Sequence, residues 1–277
     1  MDGFDQKNRL GNRIMNISWL KQQLDRWSRF WISTVLMVAI TLTSCSQSAQ
    51  SDQVKVSPEL EKQILQVIRD HPEVILESVQ AYQQQQDGQL QQARQTFLEQ
   101  MKTNPKAIIG SSPATGASTQ DIVLVEFSDF QCPFCARAHQ TIQQFMKVHQ
   151  DQVTLVYKHF PLTQIHPEAL NAAKASWAAQ QQGKFWEYQN ALFTQQDQLG
   201  EELYLAIAKQ LNLNLDQFNQ DRQSQKAQAA IEEDIQLAES LGISGTPFFV
   251  MNGETFSGAV ELSKMEEVLA AVKASKG

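Results

Sequence analysis

Two cysteines stand three residues apart in Cys132-Pro133-Phe134-Cys135, and no other stretch of the sequence is better equipped for chemistry. A dithiol at this spacing can exchange with a disulfide, supply half of a zinc site, or hold a soft ion such as Cu(I). Zinc would need two more Cys or His ligands at matching spacing, and the only other cysteine is Cys45. Residues i and i+3 share a helix face, so two sulfurs at a helix start meet with little backbone movement. Cys132 falls where unpaired N–H groups and the helix dipole favour an anion. That lowers its pKa and makes its thiolate a nucleophile near neutral pH. Cys132 therefore reads as the nucleophile and Cys135, one turn deeper, as the resolving thiol. Pro133 suits the first helical turn, where its missing N–H costs nothing.

The surrounding segments can position this pair. Ile122 to Phe127 is an apolar, β-branched run that predicts a buried strand. Ser128 to Gln131 is a short turn, and the helix after it carries Ile142, Phe145, Met146 and Val148. Val153 to Tyr157 predicts a second strand. Strand, helix and strand form a βαβ unit, so the two strands are expected to be parallel. Helical patterns follow between His166 and Leu241: to Gln182 before Gly183, then Lys184–Phe193, Glu201–Leu211, Leu215–Asn219 and Ala227–Leu241, with Gly242 as a C-cap. Phe248 to Met251, the Asn252-Gly253 turn and Thr255 to Ser257 predict a β-hairpin. Ser263 to Glu266 reads as a capping box for a last helix, to about Ala274.

Val125-Glu126-Phe127-x-Asp129-Phe130-x-Cys132-Pro133-x-Cys135 resembles the active-site segment of the DsbA-like thiol-disulfide oxidoreductases in the thioredoxin superfamily. Gly245-Thr246-Pro247, followed by the strand-like run Phe248 to Met251, resembles the cis-proline loop of the same family. The resemblance implies an α/β thioredoxin-like fold with an inserted helical subdomain at about 164–241, preceded by an N-terminal helical extension. It implies that Pro247 is cis, that this loop packs against the cysteines and bars a metal, and that Thr246 contacts the disulfide. It implies that Glu126, an acid below the deeper cysteine, accepts or relays the proton of Cys135. Lys158 could pair with Glu126 or tune it, or stand exposed at a strand end. Phe134 replaces the histidine found between the cysteines in the most oxidising relatives, so Pro133 and Phe134 are tuning positions and the direction of electron flow stays open. No cofactor or metal is implied. The implied partners are cysteine-containing exported proteins and a quinone-linked membrane protein that recycles the disulfide.

The chain has 277 residues and a net charge of −7. Residues 1–44 carry six basic and three acidic side chains, so the remainder carries −10. So acidic a chain argues against nucleic-acid binding. Phe30 to Leu42 is an apolar run behind Lys21, Arg26 and Arg29. It is short for a membrane span and suits a signal peptide. Leu42-Thr43-Ser44-Cys45 resembles a lipobox, in which Cys45 becomes lipid-modified after cleavage. An uncleaved signal anchor is the alternative, and a start at Met15 would give the leader more ordinary proportions. Either reading puts the chain outside the cytoplasm and at a membrane, in the periplasm or on the outer face of the cytoplasmic membrane, where a redox-active pair fits an oxidising compartment.

Residues 45–57 read as a tether and 58–103 as a helical extension, opened by Ser57-Pro58-Glu59 and restarted at Pro72. Leu60, Ile64, Val67 and Ile68 form one stripe; Val79, Tyr82, Gln86, Leu90, Ala93, Phe97 and Met101 form another. The extension could support a homo-oligomer, pack on the catalytic domain, or act as a spacer. Residues 104–120 read as a linker and 121–277 as the catalytic domain. His139 is expected to be an exposed or capping helix histidine, and Trp177 and Trp186 to be core of the insertion. The sequence thus points to an extracytoplasmic enzyme that forms disulfides in exported proteins. A reductase or isomerase of the same family, a Cu(I)-binding lipoprotein and a non-catalytic scaffold are the alternatives.

Overall fold

The computed structural model describes residues 57–276. The leader at 1–44, Cys45 and most of the tether lie outside them. Among the described residues no helix is long and apolar enough to cross a membrane. The chain divides into one unit ending at His71 and a second beginning at Pro72. In the first, α1 (Pro58–Asp70) starts at Ser57, whose hydroxyl accepts from the Leu60 N–H at 3.2 Å. None of its residues is buried, and Leu60, Ile64, Leu65, Val67 and Ile68 are all exposed.

The second unit opens with α2 (Pro72–Thr103) and a short α3 (Lys106–Ile109). Then come β1 (Ala114–Gly116), β2 (Ile122–Ser128), α4 (Pro133–His149) and β3 (Val153–His159). Five helices follow: α5 (Ala169–Gln181), α6 (Phe185–Thr194), α7 (Glu201–Gln210), α8 (Leu215–Arg222) and α9 (Gln225–Ser240). The hairpin of β4 (Phe248–Met251) and β5 (Glu254–Ser257) precedes α10 (Leu262–Lys276). The sheet order is β1-β3-β2-β4-β5. β2 and β3 are parallel, as the βαβ reading requires, while β4 pairs antiparallel with β2.

β2 is buried on both faces, and its alternation sorts the core. Ile122 and Leu124 turn to one face, where they pack with Ile142 and Phe145 of α4 and Met265 and Leu269 of α10. Val123, Val125 and Phe127 turn to the other, against Phe97 and Met101 of α2 and Ala238 of α9. The insertion builds a third cluster around Phe130, Tyr157, Tyr188 and Tyr204, and this cluster includes both cysteines. The hairpin turn is a two-residue turn with φ of 44° at Asn252 and 95° at Gly253, as the sequence predicts. Asn252 also accepts from the Val123 N–H at 2.8 Å, fixing the hairpin to β2.

Four local expectations change. The stretch 104–120 is not only a linker, since it holds α3 and the edge strand β1, which pairs antiparallel with β3. The catalytic domain does not begin at 121: the end of the 58–103 extension packs on it, one of the arrangements expected, and the buried Phe97 and Met101 put its start inside α2. Gly253 allows that approach, because a Cβ there would lie 3.1 Å from the Leu98 carbonyl oxygen. Ser263 does not cap the last helix. The Glu261 carbonyl accepts from Lys264 N–H, the helix starts at Leu262, and Ser263 falls in its first turn. Val148 does not join the core face of α4; it is exposed.

Candidate functional site

Cys132 is the N-cap of α4, with extended backbone, and Pro133 takes the first helical position. The Cys132 carbonyl accepts from the Cys135 and Ala136 N–H groups at 3.0 and 3.2 Å. Both sulfurs are free thiols and nearly or fully withdrawn from solvent. Their environments push the two titrations apart. The Cys132 pKa is lowered to about 5, chiefly by a hydrogen bond from the Cys135 thiol; the Thr246 side chain and the backbone N–H groups of Cys135 and Phe134 assist, and burial opposes them. Cys135 moves well upward, through burial and the neighbouring Cys132 sulfur. One thiol is thus set to ionise near neutral pH and the other to keep its proton.

The Thr246–Pro247 peptide is cis, and the Thr246 carbonyl lies 3.4 Å from the Cys132 sulfur. Residues 114 positions apart in the chain meet here because β4, which follows Pro247, lies beside β2. Phe134 is half exposed, with the Arg137 guanidinium 4.6 Å from its ring centre. Glu126 is fully buried on the face of β2 that α4 covers, and burial raises its pKa from 4.5 to about 7.

Lys158 does not reach Glu126. The register sets Tyr157 beside Glu126 and Lys158 beside Phe127, so alternation sends the lysine to the opposite face. There its ammonium meets Asp234 of α9 at 3.0 Å, both side chains buried. His139 is buried rather than exposed, in a hydrogen-bonded group with Asn190 of α6 at 3.1 Å and Gln143 at 3.0 Å. Trp177 and Trp186 are only partly buried. Among the described residues no group of three His, Cys, Asp or Glu side chains could hold a metal ion.

Asp129 stands in the sequence motif, but the sequence reading gave it no role. Its carboxylate accepts from the Gln131 N–H at 2.8 Å and the Leu162 N–H at 2.9 Å, and meets His166 Nδ1 at 2.7 Å. Its own N–H points at the Cys135 sulfur across 3.5 Å. Asp129 thereby ties the turn before Cys132 to the segment after β3. An aspartate in a turn whose side chain bonds the N–H two residues on was the available signal. Gln196 was also missed. It donates to the carbonyls of Phe130 at 2.7 Å and Cys132 at 3.0 Å, holding the insertion to the cysteine turn, and nothing local in the sequence marks it.

A family model described as thioredoxin matches residues 109–271. The chain belongs to the thioredoxin family. Within that family its fold neighbours are DsbA-like. A thioredoxin-like oxidoreductase from Silicibacter pomeroyi superposes with a TM-score of 0.55 at 32% identity, covering 61% of this chain and 94% of that one. The thiol-disulfide exchange protein alpha-DsbA2 from Wolbachia pipientis gives 0.57 at 22% identity, over 65% and 98% of the two chains. ScsC from Proteus mirabilis gives 0.56 at 21% identity, over 78% and 96%. At those two identities the likeness is one of fold. Among curated proteins, a Na(+)/H(+) antiporter NhaA 3 from Salinispora tropica is 33% identical over 160 residues, which is 58% of this chain and 24% of that protein. The thioredoxin-family chain thus spans about a quarter of the length of the curated relatives it matches.

Proposed function

We propose that this protein is an extracytoplasmic thiol-disulfide oxidoreductase that forms disulfides in exported proteins through Cys132 and Cys135. One observation carries the reading: Cys132 is poised as a thiolate at a helix N-cap, directly beside a buried thiol that keeps its proton. Stabilising the thiolate stabilises the reduced pair, which makes the disulfide the better oxidant. In the cycle, a substrate thiolate attacks the Cys132 sulfur and Cys135 leaves as a thiolate that takes up a proton. A second substrate thiolate then attacks the substrate sulfur of the mixed disulfide, releasing oxidised substrate and the Cys132 thiolate. A membrane redox partner reoxidises the pair. Cys45 carries a lipid, or the leader remains as an anchor, and holds the protein at the membrane. Pro247 and Thr246 present the backbone beside the sulfurs to the substrate, and Glu126 exchanges the proton of Cys135.

An isomerase is the second reading. The exposed apolar residues of α1, with Val74, Ile75, Val79 and Tyr82 of α2, support self-association through 58–103. Several cysteine pairs in one assembly would suit reshuffling of disulfides.

The test is the reduction potential of the Cys132–Cys135 pair at equilibrium with glutathione. A disulfide donor should fall toward about −120 mV and a reductase toward about −270 mV. A pair that forms no reversible disulfide would overturn the proposal.

A further inference from the structure

Asp129 is bonded through its own peptide groups to both cysteines. Its carbonyl accepts from the Cys132 N–H at 3.2 Å, and its N–H donates to the Cys135 sulfur at 3.5 Å. Its side chain has no exposed surface. A carboxylate so buried is costly unless donors surround it. Three do: the Gln131 N–H meets Oδ1 at 2.8 Å, while the Leu162 N–H and His166 Nδ1 meet Oδ2 at 2.9 and 2.7 Å. An ionised carboxylate offers acceptors only, so it can take all three. An asparagine could not, because its NH2 would face an N–H donor.

These bonds fix more than the side chain. Leu162 and His166 belong to the segment after β3, and Gln131 in return accepts from the Glu168 N–H of that segment at 2.7 Å, just before α5. The Ser128 carbonyl accepts from the Phe160 N–H at 2.9 Å. The turn that carries the Asp129 N–H is thus held from outside itself, and that N–H is aimed before any charge forms. Its target is the sulfur on which charge develops. When a thiolate attacks the Cys132 sulfur, a new S–S bond forms, the Cys132–Cys135 bond breaks, and the electron pair stays on Cys135. Cys135 is fully buried, so its thiolate is poorly solvated. A donor fixed in advance stabilises such a charge without reorganising.

We propose that the Asp129 carboxylate and His166 are positioning residues for the resolving cysteine: they hold the Asp129 N–H on the Cys135 sulfur, where the leaving thiolate appears. The proposal rests on the disulfide-exchange reading above. The same donor serves the reverse step, in which the Cys135 thiolate attacks the Cys132 sulfur of a mixed disulfide and the partner leaves as a thiolate. The N–H keeps its proton throughout.

The test uses the full-length chain with Cys45→Ser in every sample, so that only the pair reports. Two rates are read at one fixed pH. Reduced glutathione opens the oxidised pair, with the mixed disulfide trapped by acid. Iodoacetamide alkylates Cys132 in the reduced pair, a reaction in which Cys135 does not leave. Asp129→Asn should slow opening by about tenfold, the scale of one weakened hydrogen bond to a charged group, and leave alkylation within about twofold. Closing should slow equally, because the charge on Cys135 belongs to the transition state of both directions, so the reduction potential should stay in place. His166→Ala should slow opening by about threefold or more. His166→Asn, whose amide stands where Nδ1 stood, should restore the parental rate. If Asp129→Asn does not fold, the two His166 variants decide. The proposal is overturned if Asp129→Asn and His166→Ala both open at the parental rate, if alkylation falls in step with opening, if the reduction potential moves as far as the opening rate, or if His166→Asn behaves as His166→Ala. Failure of the underlying reading has a different signature: the parental pair forms no reversible disulfide, and there is no opening to time.

Discussion

Lys158 and Glu126 sit on neighbouring strands yet face away from each other, and the lysine is neutralised by Asp234 at 3.0 Å on the far side of the sheet. Asp234 also accepts from the His159 N–H at 2.9 Å, so this ion pair fastens α9 to the end of β3. The pair is structural, and Lys158 is not a cation beside the buried Glu126 carboxyl.

Lys158→Met should therefore cost stability without touching the cysteines. Removing one partner of a buried pair leaves the other charge stranded, at about 3 kcal/mol. Denaturant unfolding near pH 7 should show that loss, with much of it recovered in Lys158→Met/Asp234→Leu. The pH at which Cys132 becomes reactive should stay where it is. A large shift in that pH would mean that the lysine tunes the site after all.

Cys135 is the chief cause of the lowered Cys132 pKa. In Cys135→Ala the Cys132 pKa should rise from about 5 by about one unit or more, since a hydrogen bond to the ionised sulfur is lost. Thiolate absorbance followed across pH would report it directly. An unchanged titration would assign the effect to the helix start alone. Cys132→Ser should abolish exchange outright, because the nucleophile is gone.

Glu126 makes stability depend on pH. Burial raises its pKa from 4.5 to about 7, so between those values the folded chain holds a proton that the unfolded chain has lost. Stability falls as pH rises through that window, and the full cost, about 3 kcal/mol, is present above pH 7. Glu126→Gln carries no charge to bury. It should gain about 1–3 kcal/mol over the parent at pH 8 and little at pH 4. Equal differences at the two pH values would contradict a buried, raised carboxyl.

The end of α2 belongs to the core. Met101→Ala should destabilise by about 2–5 kcal/mol, the usual range for emptying a fully buried site. A chain beginning near residue 104 should lose cooperative unfolding, whereas one beginning at Pro72 should keep it. Retention of full stability by the shorter chain would restore the boundary expected at 121.

Much of this protein was legible in its sequence because the signals are local. The apolar β2 run, the Cys132-Pro133 helix start and the Asn252-Gly253 turn each follow from backbone preferences within a few residues. The Val125 to Cys135 segment, the Thr246-Pro247 motif and the order of strands and helices together carried the DsbA-like resemblance. What only the tertiary structure decided depends on register and on packing between distant segments. One residue of register sends Tyr157 to Glu126 and Lys158 to Asp234, and a period of two makes that difference a change of face. The burial of Phe97 and Met101 comes from strands that lie far along the chain from α2, and the bonds of Asp129 and Gln196 reach into separate loops. Local sequence carries the conformation of each segment, but the partner of a buried polar group is set by whichever segment the fold brings against it.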